Sequence, residues 1–165
     1  MTDFTPIVAT ADSYYDREEG LTALHEESRN EITELLMGHK VEKVDGEHLL
    51  LDNGVLIKAI GHRGGCACSA GDYDLSVLNG VDNIVTKVEF DYSPAGDYDR
   101  APSDNPHPDD PEDLWTGYYR IFVYAENQRI NLMQVDGSDG NGYYGTGFEL
   151  LVRPAHGTAP SDGGA

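Results

Sequence analysis

The sequence predicts an α+β fold that is mainly β. An N-terminal helical region packs on an antiparallel or mixed sheet of about six or seven strands built from hairpins. Three observations predict it. Ile32, Leu35 and Leu36 recur at helical spacing after Ser28. Asn53-Gly54 stands between two apolar runs, His48–Asp52 and Val55–Ile60, which is a hairpin pattern. Tyr119, Ile121 and Val123 alternate with Tyr118, Arg120, Phe122 and Tyr124, and a second strand-like run follows at once.

In chain order, residues 1–15 are polar without a period and form a flexible lead. A helical region spans Asp16 to Met37. Asp16 to Glu19 and Ser28 to Glu31 both have capping-box spacing, and Gly38 closes the end. Gly20 interrupts the region, which reads as one bent helix or two short ones. The period then changes to two. Val41 and Val44 lie in a short strand that ends at an Asp45-Gly46 turn. A two-residue turn at Asn53-Gly54 pairs Leu51 with Leu56 and Leu50 with Ile57. Those pairs point to opposite sides, so both faces of the hairpin are apolar and need cover, one cover being the N-terminal helix.

Leu75 to Gly80 reads as a single helical turn. Ile84 to Phe90 reads as a strand with Ile84, Val88 and Phe90 on one side. Asp91 to Asp113 holds five prolines and eight acids, a composition that favours a mobile acidic loop. Tyr118–Ala125, a turn at Glu126 to Gln128, and Ile130–Val135 make the second hairpin. Phe148–Val152 is the last strand. Residues 16–153 are thus one domain, and 154–165 a disordered tail.

Composition narrows the functions. Thirty acids against eleven bases give a net charge of -19 over 165 residues. That disfavours direct nucleic-acid binding, which needs clustered cations, and docking on an anionic membrane. It suits solubility, a basic partner, a metal, or mimicry of nucleic acid. No run approaches the ~20 apolar residues of a membrane span, and no secretory signal pattern opens the chain. Cys66 and Cys68 are too close in sequence to staple distant segments, which fits a reducing cytoplasm.

Two segments carry candidate chemistry. Asp136 to Phe148, DGSDGNGYYGTGF, has five glycines in thirteen residues. It spells GxGxxG at Gly140 to Gly145, but a strand follows where a dinucleotide loop needs a helix and no Lys follows, so nucleotide binding is disfavoured. Its candidate ligand or partner residues are Asp139, Asn141, Tyr143 and Tyr144, because glycine admits close approach and tyrosine offers an apolar face with a polar tip. The bland alternative is a glycine-shaped strand connection. Oxygens on Asp136, Ser138, Asp139 and Asn141 suggest calcium, yet the EF-hand frame fails: Gly140 falls at position five and Gly147 at twelve. The second segment holds His62, Cys66 and Cys68, a candidate zinc trio lacking a fourth ligand that His25, His39, His48 or an acid would supply. Its alternative is small thiols packed beside Ala67 and Ala70. Catalytic motifs such as GxSxG and HExxH are absent, so no catalytic residue is assigned, and the motifs lend enzyme activity no support without excluding it.

Three stretches taken together, LLMGHKVEKVDGEHLLLDNG, GGCACSAGDYDLSVLNGVDN, and GSDGNGYYGTGF after YRIFVYAENQRINL, resemble a family of small proteins encoded by bacteriophages of actinobacteria and other Gram-positive hosts. That family is a domain of unknown function, and the resemblance runs from about Leu35 to Arg153. It implies a phage product in the host cytoplasm or in the virion. The leading expectation is a non-catalytic accessory protein that binds a host protein or small ligand through the Gly/Tyr and Cys loops. An acidic nucleic-acid mimic acting on a basic host protein, and a virion or self-assembling homo-oligomeric protein, are the alternatives.

Overall fold

The computed structural model describes residues 4–9, 17–61, 63–64, 71–93, 116–138 and 147–155. These residues form two five-stranded antiparallel sheets and one short helix. The mainly β expectation is met, but two sheets replace the single six- or seven-stranded one. The first sheet has the order β1 (Thr22–His25), β10 (Phe148–Arg153), β4 (Leu56–Gly61), β3 (His48–Leu51), β2 (Val41–Asp45). The second has the order β5 (Arg63–Gly64), β6 (Gly71–Leu78), β9 (Gln128–Ser138), β8 (Thr116–Ala125), β7 (Lys87–Ser93).

The expected helical region is corrected. Among the described residues, only Arg29–Leu36 is helical (α1), and Thr22–His25 is instead an edge strand on β10. Gly20, at φ +83, breaks any continuation. Leu24 then buries opposite Leu150, a long-range pairing that overrides local propensity. The Ser28 hydroxyl makes no cap bond to the helix and instead accepts from the His25 N–H. Gly38, at φ +81, ends α1 as its composition requires, and its N–H is bonded to the Val85 carbonyl.

The β3–β4 hairpin forms, shifted by one residue from the expected register. Leu50 pairs with Leu56, and Leu49 with Ile57. The turn spans Asp52 to Gly54 because Gly54 takes φ +90 and Leu51 N–H reaches the Val55 carbonyl. A three-residue loop closed by a left-handed glycine replaces the two-residue turn. Likewise Asp45 pairs with His48, so the β2–β3 turn is Gly46-Glu47, not Asp45-Gly46. Both faces of the hairpin are covered. Leu49, Leu51, Ile57 and Ala59 face inward with Leu150 and Val152, against the second sheet and against Ile32 and Leu36 of α1. Leu50, Leu56, Ile60 and Leu151 face outward under an extended N-terminal segment carrying Ile7 and Ala9.

Leu75 to Leu78 is not a helical turn but part of β6, where the ladder to β9 is irregular between Leu75 and Val77. Ile84 is exposed and precedes the strand, while its neighbour Val85 is buried. The β8–β9 hairpin matches its alternation: Tyr119, Ile121, Val123 and Ala125 are all buried. A bulge in β9 lets the adjacent Leu132 and Met133 both bury. Glu126 and Asn127, at φ 49 and 67, form the turn between them. Left-handed glutamate is strained by about 1 kcal/mol or more. Glu126→Asn should therefore stabilise the protein, raising Tm by about 2–4 °C in a thermal melt.

Candidate functional site

Of the residues singled out in the sequence, Asp139, Asn141, Tyr143, Tyr144, His62, Cys66 and Cys68 lie outside the described residues. The strand ends that flank them are described, and these converge. Gly64 pairs with Gly71, Asp72 with Ser138, Ser138 with Thr116, and Ser93 with Tyr118. The segments 65–70, 94–115 and 139–146 therefore all depart from one end of the second sheet. Beneath that end, Tyr73, Tyr92, Tyr119 and Phe148 stack edge to face, with centroids 5.0–6.1 Å apart. The Arg29 guanidinium lies over Tyr92 at 4.8 Å. Burial raises the Tyr92 phenol above its ordinary range, and its hydroxyl has no partner among the described residues.

The histidines considered as a fourth zinc ligand are engaged separately. His25 Nε2 contacts Glu149 at 3.2 Å, His39 Nδ1 contacts Asp52 at 2.8 Å, and His48 Nε2 accepts from the Ile7 N–H at 3.1 Å. Among the described residues, no three His, Cys, Asp or Glu side chains cluster as a metal site, and no helix is long and apolar enough to cross a membrane.

The most developed surface lies elsewhere, on the outer face of the second sheet. Strand alternation sends Tyr118, Arg120, Phe122 and Tyr124 outward while their neighbours fill the core. Each ring is clamped by a cation. The Arg120 guanidinium sits 3.7 Å from the Tyr118 centroid, Arg129 3.6 Å from Phe122, and Lys87 Nζ 4.9 Å from Tyr124. Carboxylates and amides fix the cations in turn. Arg129 Nε donates to Glu89 at 2.8 Å, and the Tyr124 hydroxyl donates to the same carboxylate at 3.2 Å. The Arg129 hydrogen bond, helped by that of Tyr124, holds the Glu89 carboxyl below its usual range. Arg120 Nε donates to Gln134 at 2.9 Å, Gln134 donates to Asp136 at 2.8 Å, and the Ser76 hydroxyl also donates to Asp136. The contacts form two neighbouring groups, one joining Glu89, Tyr124, Phe122 and Arg129 across β7, β8 and β9, the other joining Tyr118, Arg120, Gln134, Asp136 and Ser76 across β8, β9 and β6.

This face differs in charge from the rest of the chain. Lys87, Arg120 and Arg129 stand among Asp74, Glu89, Asp91 and Asp136, close to balance in a protein of net charge -19. Half-buried Tyr118, Phe122 and Tyr124 held against Arg120 and the exposed Arg129 match the composition of an interface centre. Sequence reading noted the outward residues of β8 as the second half of an alternation and gave them no role. Arg120 two residues after Tyr118 was a visible signal, since i and i+2 share a strand face. The Arg129–Phe122 clamp needs the hairpin register and was not visible.

A family profile described as a domain of unknown function (DUF7448) matches residues 34–150. Neither the curated proteins nor the solved structures include a match to the chain.

Proposed function

We propose a binding role for this chain, which belongs to the domain of unknown function family DUF7448. It acts as a non-catalytic accessory protein of phage origin that docks a host protein in the host cytoplasm. The observation that carries this reading is the aromatic and cationic network on the outer face of the second sheet. Its side chains are already held by one another, so little rotamer freedom is lost on docking. The strongly acidic remainder of the surface steers a partner whose own rim is basic. The segments bearing Tyr143, Tyr144, Cys66 and Cys68 start from the end of this same sheet and extend the docking edge in this reading.

The test is affinity capture from host lysate with three forms of the protein. The wild type and a Lys40→Glu, Lys43→Glu control should retain one common partner. An Arg120→Glu, Arg129→Glu form, with the same change in charge, should lose it by about tenfold or more while keeping its melting temperature within a few degrees. Equal capture by both variants would place docking elsewhere. A Tyr143→Ala, Tyr144→Ala form measures how far the neighbouring loop contributes.

A further inference from the structure

The segment Phe4–Ala9 crosses the outer face of the first sheet and lies outside the family match at 34–150. Other elements hold its backbone mainly through side chains. The Ile7 N–H donates to His48 Nε2 at 3.1 Å, in a buried contact. Lys58 Nζ donates to the Ala9 carbonyl at 2.8 Å, and Arg153 Nη1 to the Thr5 carbonyl at 2.7 Å. The Val8 N–H donates to Glu18 at 2.9 Å, and the Val8 carbonyl accepts from the Glu18 N–H. Ile7 and Ala9 cover Leu50, Leu56, Ile60 and Leu151.

His48 is the one anchor whose role reverses with a proton. Its Nε2 accepts the Ile7 N–H only when unprotonated. Protonation would set a donor against the Ile7 donor and a cation beside Lys58. Among the described residues, three charged groups act on the ring. Lys58 on β4 opposes the charge, while Asp45 on β2 and Glu47 in the adjoining turn favour it. The segment itself, FTPIVA, has no titratable side chain. Burial first, then Lys58, keeps the imidazole below its ordinary range.

We propose that Phe4–Ala9 is an acid-released strap: proton uptake at His48 Nε2 removes the acceptor of the Ile7 N–H, and the segment leaves the outer face, baring Leu50, Leu56, Ile60 and Leu151. The sign follows from linkage. A histidine whose folded pKa is lowered stabilises the strap fully above the free-imidazole value of 6.5, and that stabilisation is lost as pH falls from there through the folded value. The strap is thus closed at neutral pH and loosens as pH falls below 6.5.

Amide hydrogen exchange on the full chain between pH 7.5 and 5.0, corrected for the intrinsic rate, tests this. Protection of the Ile7 amide should fall about tenfold, the scale of one buried donor left unpaired, while the amides of β4 and β10 keep theirs. His48→Gln offers a neutral acceptor at every pH and should abolish the change. Unchanged Ile7 protection in the wild type, or an equal fall in His48→Gln, overturns the proposal. The His48 ring nitrogen shifts give a second measurement. They must titrate below 6.5, inside the pH window over which Ile7 protection falls, and a ring titration outside that window overturns the proposal even where Gln loosens the strap throughout.

Discussion

Replacing Gly61 with alanine should destabilise the protein by about 3 kcal/mol or more, read as a lowered midpoint in urea. A Cβ at this position would lie 2.7 Å from the Tyr73 carbonyl carbon and 3.0 Å from the Asp74 Cα, and closer still to the Tyr73 oxygen. All three are backbone atoms of β6, which is laddered to β9, so no rotamer change relieves the clash. Gly61 pairs with Phe148 at the end of β4, and the chain passes from there into the second sheet. The substitution therefore forces apart the corner where the end of β4 meets the backbone of β6. Gly46→Ala is the control. Gly46 has φ +51 with nothing within 4 Å of an added Cβ, so only about 1 kcal/mol of backbone strain is expected. A Gly61→Ala loss no greater than that of Gly46→Ala would show that the sheets slide apart easily.

That corner also shows where sequence reading stops. The GHRGG run reads locally as a loop, and nothing in it announces that Gly61 meets the backbone of Tyr73. Elements stabilised by their own pattern were legible. β8 shows its alternation, β10 its apolar run, and the β3–β4 hairpin its Asn53-Gly54 signal. The register of that hairpin was missed by one residue because two- and three-residue turns share the same sequence signal. The left-handed Gly54, with Asn53 Oδ1 accepting from the Val55 N–H at 3.1 Å, selects the longer loop. Shifting the register by one residue exchanged the roles of the leucines. Leu50 and Leu56 became the floor beneath the strap, and Leu49 joined the inner core.

Two elements were misread because their partners are distant. Thr22–His25 carries no strand pattern of its own, and what makes it a strand is β10, more than a hundred residues later. Leu75–Leu78 loses its alternation at the irregularity beside Ser76, so it resembles a helical turn until β9 is present to pair with it. The same dependence hid the outer-face network. Its rings and cations belong to three strands, and only strand pairing brings Arg129 onto Phe122 and Lys87 onto Tyr124. The loops that drew attention in the sequence contain its most unusual composition. The described surface instead places the ordered aromatic and charged side chains on the sheet that carries those loops.

The segment before the family match is therefore more than an appendage. It supplies an edge strand, the strap, and a buried charge pair that ties residue 17 to residue 149. Arg17 donates to both oxygens of Glu149, at 2.6 and 3.0 Å, and Glu149 is only 2% exposed. Glu149→Leu alone should cost about 3–5 kcal/mol, because it strands a largely buried guanidinium. Arg17→Met alone should cost a similar amount at pH 8.

The double substitution Arg17→Met, Glu149→Leu should recover most of the loss and come within about 1 kcal/mol of the wild type, since the new leucine lies beside Leu151 on the outer face. The coupling from this double-mutant cycle, measured by urea unfolding, should thus be several kcal/mol. Additive losses would mean that the pair contributes little as a pair, and that β1 alone holds the N-terminal segment to β10. A large coupling would mean that the charge pair itself joins residue 17 to the family domain, so that loosening the strap in acid leaves this second attachment in place.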